Sequence, residues 1–319
     1  MSAPAAPPAA APRITLGALC LAAGGAVLFS SKSIFIKLAY AVPGAAGAPP
    51  VDAVTLLTLR MLFSMPFFVV IGYFATRRGG AAALTGRDHL ALIGLGLIGY
   101  YFSSYMDFIG LKYISASLER LILYLYPTFT VLLSALLFRR PITGRLAAAL
   151  AVCYGGVALV FGHDLAGSEV KSSVWIGGAF VAVSAFTYAV YLVTGTEVIA
   201  RVGATRFTAY AMTVSSIACI AQFFVIHPLE RLALPAAVYG YGLLLGIVST
   251  VLPTFLTAVA LKRIGASQVA LIGAVGPIAT LVMGVAILDE SFGIWQLAGA
   301  ALVITGVLMI TIRPRPTTT

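Results

Sequence analysis

Six charged side chains stand inside stretches of sequence that are otherwise apolar: Lys32, Lys37, Arg60, Asp107, Glu119 and Arg120. All six fall in the first half of the chain. A charged group at the centre of a bilayer costs roughly 2.5–3.5 kcal/mol on insertion scales, so it needs a partner, a gate or a solute to justify it. Residues three or four apart lie above one another on a helix. By that rule Ser30, Ser33 and Lys37 share one face. Tyr101, Ser104, Tyr105 and Phe108 share a second, and Glu119, Leu123, Tyr126 and Thr130 a third. Tyr188 and Tyr191 follow on a later segment. Tyrosine offers a flat apolar wall with a hydroxyl handle, which suits a small organic solute. The candidate substrate-binding or gate residues are therefore Lys37, Arg60, Tyr101, Tyr105, Asp107, Glu119, Arg120, Tyr126 and Tyr188. The alternative is purely structural: tyrosines that pack, Arg60 paired with Glu119, and Lys32 and Lys37 snorkelling to the interface.

No catalytic constellation accompanies these groups. His89, His163 and His227 lie in or beside predicted loops, and Cys20, Cys153 and Cys219 sit inside apolar runs. Neither set has metal-ligand spacing. A phosphate-cradling loop is also missing, which argues against direct coupling to ATP. No metal and no cofactor are expected. An intramembrane enzyme and a passive channel are the alternative classes to a transporter.

The elements that position these side chains follow from composition. Of 319 residues, 61% are hydrophobic and 9% charged, with a mean hydropathy of +1.04. Soluble proteins carry about 25% charged residues, so lipid must cover most of this surface. The net charge of +10 does not indicate nucleic acid, because the basic residues come in short groups between apolar runs. A span needs about 20 apolar residues. Ten such segments are predicted: 15–39, 53–76, 89–110, 114–138, 145–161, 174–194, 207–226, 237–261, 267–288 and 294–312. This is an all-α integral membrane fold; period-two alternation, the mark of a membrane β-barrel, is missing.

Alternate loops carry Arg13; Arg77, Arg78 and Arg87; Arg139, Arg140 and Arg145; Arg201 and Arg206; Lys262 and Arg263; Arg313 and Arg315. The opposite loops carry only Lys112, Lys171 and Arg231, a ratio of thirteen to three. Basic loops stay in the cytoplasm, so both termini are predicted cytoplasmic. Arg60 then lies roughly 10 Å inward from the outer start of its helix at 1.5 Å per residue. Glu119 has a similar depth, and the whole charged group shares the outer portion of the membrane.

The second half repeats the first at an offset of 150 residues. Leu111-Lys112 aligns with Leu261-Lys262, Pro127 with Pro277, Thr130 with Thr280, Gly156-Val157 with Gly306-Val307, and Gly96 with Gly246. Five spans per half is an odd number, so the second copy must enter the membrane inverted, as in secondary transporters. Pro127 and Pro277 are candidate helix-kink positions, since proline removes a helical hydrogen bond. The predicted organisation is an Ala/Pro-rich disordered tail (1–13), a first five-helix repeat (14–161), a linker (162–173), a second five-helix repeat (174–312) and a short cytoplasmic tail (313–319). The small-residue series Ala147, Ala151 and Gly155 reads as close helix packing, with a homodimer contact as the alternative.

The run GASQVALIGAVGPIATLVMGVAILDESFGIWQLAGAALVITGVLMI, Gly265 to Ile310, resembles the ninth and tenth helices of the EamA-like family in the drug/metabolite transporter superfamily. Its outer acidic turn, Asp289-Glu290, together with Lys37 and Arg60, looks like family features. The segment SASLERLILYLYP, Ser115 to Pro127, is similar to a subgroup with a Glu-Arg pair. The first half departs from the pattern: Phe138-Arg139-Arg140-Pro141 stands where the family has an acidic turn. The resemblance covers nearly the whole chain after the tail. It implies a central cavity ringed by helices from both halves, transport of small metabolites, and export rather than import. The expected partners are a small-molecule solute and the lipid bilayer, and the expected location is the cytoplasmic membrane. Four cations, Lys32, Lys37, Arg60 and Arg120, face two acids, Asp107 and Glu119. That excess favours an amino-acid-like or organic-acid solute.

Overall fold

The structure, a computed structural model, describes residues 15–44, 49–77, 84–139, 141–167, 170–290 and 293–311. Both predicted tails lie outside the described residues. Among the described residues there is no strand, and nine helices are long and apolar enough to cross a membrane. They are α1 (Leu16–Ala41), α2 (Ala53–Arg77), α3 (Gly86–Gly110), α4 (Ala116–Leu137), α5 (Gly144–Gly167), α6 (Lys171–Val202), α7 (Ala204–Ile226), α8 (Ala236–Gly265) and α9 (Leu271–Leu288). A further helix, α10 (Ile294–Thr311), has a shorter apolar stretch, Ile294–Ile310. Large apolar side chains such as Leu90, Leu136 and Val225 are exposed at 72%, 76% and 85%. Such a surface is stable against lipid tails and not against water.

Helix ends are set by local chemistry. Thr85 caps α3 in a reciprocal pair with Asp88, which also holds Arg201 of α6. Asp52 receives the Thr55 amide at 3.0 Å and the Thr55 hydroxyl at 2.8 Å, capping α2. Two helices end in glycine with positive φ, Gly203 at 88° and Gly265 at 78°, which lets the chain reverse tightly into the next helix. Two boundaries differ from expectation. α5 runs to Gly167 and α6 covers Lys171–Val202, so most of the expected 162–173 linker is helical. Hydropathy falls where His163 and Asp164 begin. The helix does not end there, and Gln296 of α10 reaches both side chains at 3.4 Å.

The prolines break their helices. α4 consists of Ala116–Leu123 and Tyr126–Leu137, with Tyr124 and Leu125 between them. A turn at Ala274 likewise precedes the segment Val275–Leu288. Pro127 cannot donate to the Leu123 carbonyl, nor Pro277 to that of Gly273, so each helix loosens just upstream. A single π-turn interrupts α3 at Leu97–Phe102 and α8 at Ile247–Val251, again one in each half at the same offset.

Packing repeats this correspondence. α1 lies on α8 and α9, while α6 lies on α3 and α4. Gly96 of α3 touches Ala211 of α7, and Gly246 of α8 touches the Arg60 carbonyl and Phe63 of α2. α5 and α10 cross with Gly156 against the Gly299 carbonyl and Gly306 against that of Ala149. A Cβ at any of these glycines would come within 3.0 Å of its neighbour, so glycine sets the approach of the helices.

Candidate functional site

The centre of the site is a run of four polar residues in the middle of α1, Ser30-Ser31-Lys32-Ser33, all buried. The Lys32 ammonium lies between two carboxylates, 2.5 Å from Asp107 Oδ2 of α3 and 3.3 Å from Glu119 Oε1 of α4. The Ser33 hydroxyl donates to the other Glu119 oxygen, Oε2, at 2.6 Å. Both acids are thus engaged from α1.

The expected pairing of Arg60 with Glu119 is not what the structure contains. Arg60 Nε donates to Thr250 Oγ1 at 2.9 Å and Nη1 to Ser104 Oγ at 3.3 Å, and the guanidinium lies 5.6 Å from the centre of the Phe108 ring. The reason is rotational: Arg60 faces α3 and the π-turn of α8, whereas Glu119 faces α1. Lys32 reaches Glu119 because its four-carbon stem is long and flexible. The same π-turn gives Thr250 its second bond, from its hydroxyl to the Leu245 carbonyl at 2.8 Å.

Arg120 is the second buried guanidinium. Its Nη2 donates to Ser30 Oγ at 3.1 Å, its charge sits 5.2 Å from the Phe29 ring, and its Nε has no hydrogen-bond partner among the described residues. Ser30 also reaches the Gly276 carbonyl at 2.9 Å, beside the break in α9. A Cβ at Gly276 would stand 2.7 Å from Arg120 Nη2, so glycine there is what lets the guanidinium lie against α9. Neither Arg60 nor Arg120 has a carboxylate within 4.0 Å among the described residues. Three cations and two acids converge here, an excess of one positive charge if all are ionised.

The tyrosines fall into two groups. Tyr101 and Tyr105 stack 6.5 Å apart on the face of α3 that carries Ser104. Tyr126 meets Tyr188 edge-on at 5.2 Å, Tyr188 stacks on Tyr191 at 5.5 Å, and the Tyr191 hydroxyl donates to that of Tyr100 at 3.1 Å. Lys37 stands apart from the buried cluster, near the end of α1, where it lines a cavity with Tyr40 and Lys112. From the second half, the Glu290 carboxylate closes over the start of α4. It accepts the Ala116 amide at 2.6 Å, the Ser117 amide at 3.2 Å and the Ser117 hydroxyl at 2.7 Å. The candidate residues did not include Lys32, although it belongs to the charged group, or Ser30 and Ser33, although spacing put them on one face with Lys37; Thr250 and Gly276 were not singled out. The polar run around Lys32 was the available signal, since a snorkelling lysine has no need of three serine neighbours.

The profile of the EamA-like transporter family matches residues 16–162 and 175–312. Among curated proteins, the chain is 33% identical over 290 residues to "Uncharacterized transporter YcbK" of Bacillus subtilis (strain 168), covering 88% of this chain and 89% of that protein. It is 26% identical over 223 residues to "Uncharacterized transporter YyaM" of the same organism, covering 70% and 73%. An "Uncharacterized transporter" of Archaeoglobus fulgidus is 25% identical over 259 residues, covering 81% and 88%. One solved crystal structure is similar in fold, with a TM-score of 0.57 at 18% identity, covering 92% of this chain and 96% of that one. With the apolar helices and the buried polar centre, these matches establish a multi-pass membrane protein, and the chain belongs to the EamA-like transporter family.

Proposed function

We propose that this protein is a secondary transporter that moves a small organic solute bearing an anionic group across the cytoplasmic membrane by alternating access, in the direction of export. The observation that carries the solute class is the segregation of the buried charges. Lys32 and Ser33 occupy Asp107 and Glu119, while Arg60 and Arg120 keep only hydroxyl and aromatic partners. A buried guanidinium without an acid is poorly compensated. A solute carboxylate can receive the parallel donors of an arginine as no hydroxyl can. An amino group on the same solute would meet the hydroxyls and tyrosine rings nearby.

The mechanism rests on reading the chain as ten spans in two inverted repeats, with both termini cytoplasmic. Support comes from the matched prolines, the matched π-turns and the exchange of partners between α1 with α8 and α9 and α6 with α3 and α4. If the halves trade conformations, the site faces the opposite side of the membrane. The excess of basic residues in alternate loops supports the orientation, and family tendency supports export.

Thermal unfolding of the purified protein tests the solute class. A binder at one hundred times its dissociation constant stabilises by about 2.7 kcal/mol. Carboxylates and zwitterionic amino acids should raise the unfolding temperature more than their neutral amides, and Arg120→Gln should abolish the difference. A cationic compound stabilising wild type and variant equally, with no response to carboxylates, would overturn the assignment.

A further inference from the structure

The end of α1 carries a second polar feature that the buried cluster does not absorb. A cavity of about 440 Å³ is lined by Lys37, Tyr40, Ala41, Pro50, Val51, Leu111 and Lys112. That volume suits a small organic molecule. We propose that this cavity is a second binding site for the anionic group of the solute, a staging position on the route to or from Arg120. The proposal rests on the anionic-solute reading above.

Three observations support it. First, two ammonium groups border the cavity, and among the described residues neither has a carboxylate within 4.0 Å. Lys112 instead lies 5.5 Å from the centre of the Tyr40 ring. Secondly, the acids whose fields reach these lysines are engaged elsewhere. For Lys37 they are Glu119 and Glu290; Glu119 is held by Lys32 and Ser33, and Glu290 by the start of α4. For Lys112 it is Asp52, held by Thr55 and lying 3.3 Å from His227. Burial pushes the Asp52 carboxyl up, but these hydrogen bonds and the nearby positive charges outweigh it and keep the group below its usual value. Asp52 therefore stays an ionised acceptor committed to its own helix cap. Thirdly, the cavity is joined to the buried site along one helix face. Lys37, Ser33 and Ser30 lie four and then three residues apart on α1, with Ser33 on Glu119 and Ser30 on Arg120. A negatively charged group leaving the lysines passes two hydroxyls already bonded to Glu119 and to the Gly276 carbonyl, and then meets a guanidinium.

Pyridoxal 5′-phosphate, an aldehyde that carries a phosphate, tests the site on the full chain in bilayers of zwitterionic lipid. After borohydride trapping, mass spectrometry reads the extent of reaction at each of the five lysines. Lys37 and Lys112 should react several-fold faster than Lys171 and Lys262. Unphosphorylated pyridoxal should lack that preference, and benzoate should slow the preferred reaction. Lys112→Gln, a change at an exposed residue, should slow labelling at Lys37. Equal labelling of Lys112 and Lys171, or protection by an anionic lipid but not by benzoate, would overturn the proposal. Labelling reads the cavity directly, so it can fail while the Arg120-dependent stabilisation persists, and the converse is equally readable.

Discussion

Lys32 is the side chain that ties α1 to the acids of both α3 and α4, beside the Ser33–Glu119, Ser30–Arg120 and Tyr40–Phe108 hydrogen bonds. Removing it leaves Asp107 and Glu119 buried side by side without a cation. Breaking a buried pair by deleting one partner costs about 3–5 kcal/mol. Lys32→Met should therefore lower thermal stability severely, and Lys32→Met with Asp107→Asn should be less damaging than the sum of the two single changes. Arg60→Ala and Glu119→Ala should behave differently: they have separate partners, so their costs should add to within about 0.5 kcal/mol. A strong coupling between Arg60 and Glu119 in that cycle would count against the geometry. The charges were legible in the sequence because they interrupt apolar runs. Their partners were not, because helical spacing gives the face of a residue but not the neighbour that the face meets. The depth argument brought Arg60 and Glu119 to one level of the membrane. Only packing reveals that they point to different helices.

At the scale of the element, the features matched between halves are the ones that weaken helices: a proline break, a π-turn and a glycine crossing. The paired prolines and glycines were visible in the alignment. The π-turns were not, since they arise from an extra residue accommodated by tertiary contacts rather than from a residue type. The ends of α4 and α9 are unlike. Glu290 of the second half caps α4, and the positions offset from Asp289-Glu290 in the first half are Arg139-Arg140. A carboxylate at a helix N-terminus satisfies orphan amides and complements the helix dipole, whereas arginine offers neither. Glu290→Ala should remove the cap, at a cost of about 1 kcal/mol. That corresponds to roughly fivefold faster hydrogen exchange at the Ala116 and Ser117 amides, with the exchange of α5 unchanged. If exchange at those two amides does not change, the carboxylate is not what closes that end of the molecule.

For the whole molecule, the decisive quantity is how many times the chain crosses the membrane before the second half begins. Five crossings invert the second copy and make its conformation exchangeable with the first. Four or six would make the halves parallel and remove the route to alternating access. Among the described residues α10 has the shortest apolar stretch of the ten, Ile294–Ile310, but its mate is long. α5 and α10 meet through Gly156, Gly299, Gly306 and the Ala149 carbonyl, a contact in which each helix contributes equivalent positions. Two helices packed that closely along their length cross the same slab of lipid, so α10 should span as α5 does. A reporter active only outside the cytoplasm should then work when fused after Gly167 and fail when fused after Thr319. The junction after Gly167 leaves α5 whole, since the helix runs to that residue. The sign follows from the thirteen basic residues in alternate loops against three in the others. With the N-terminus cytoplasmic, activity at both junctions would give the second half an even number of crossings, so that it is not a copy of the first, and activity at neither would put both halves in the same orientation. The matched prolines and π-turns would then be a shared fold without a shared transport cycle, and the buried arginines would need a function that does not require the site to change sides.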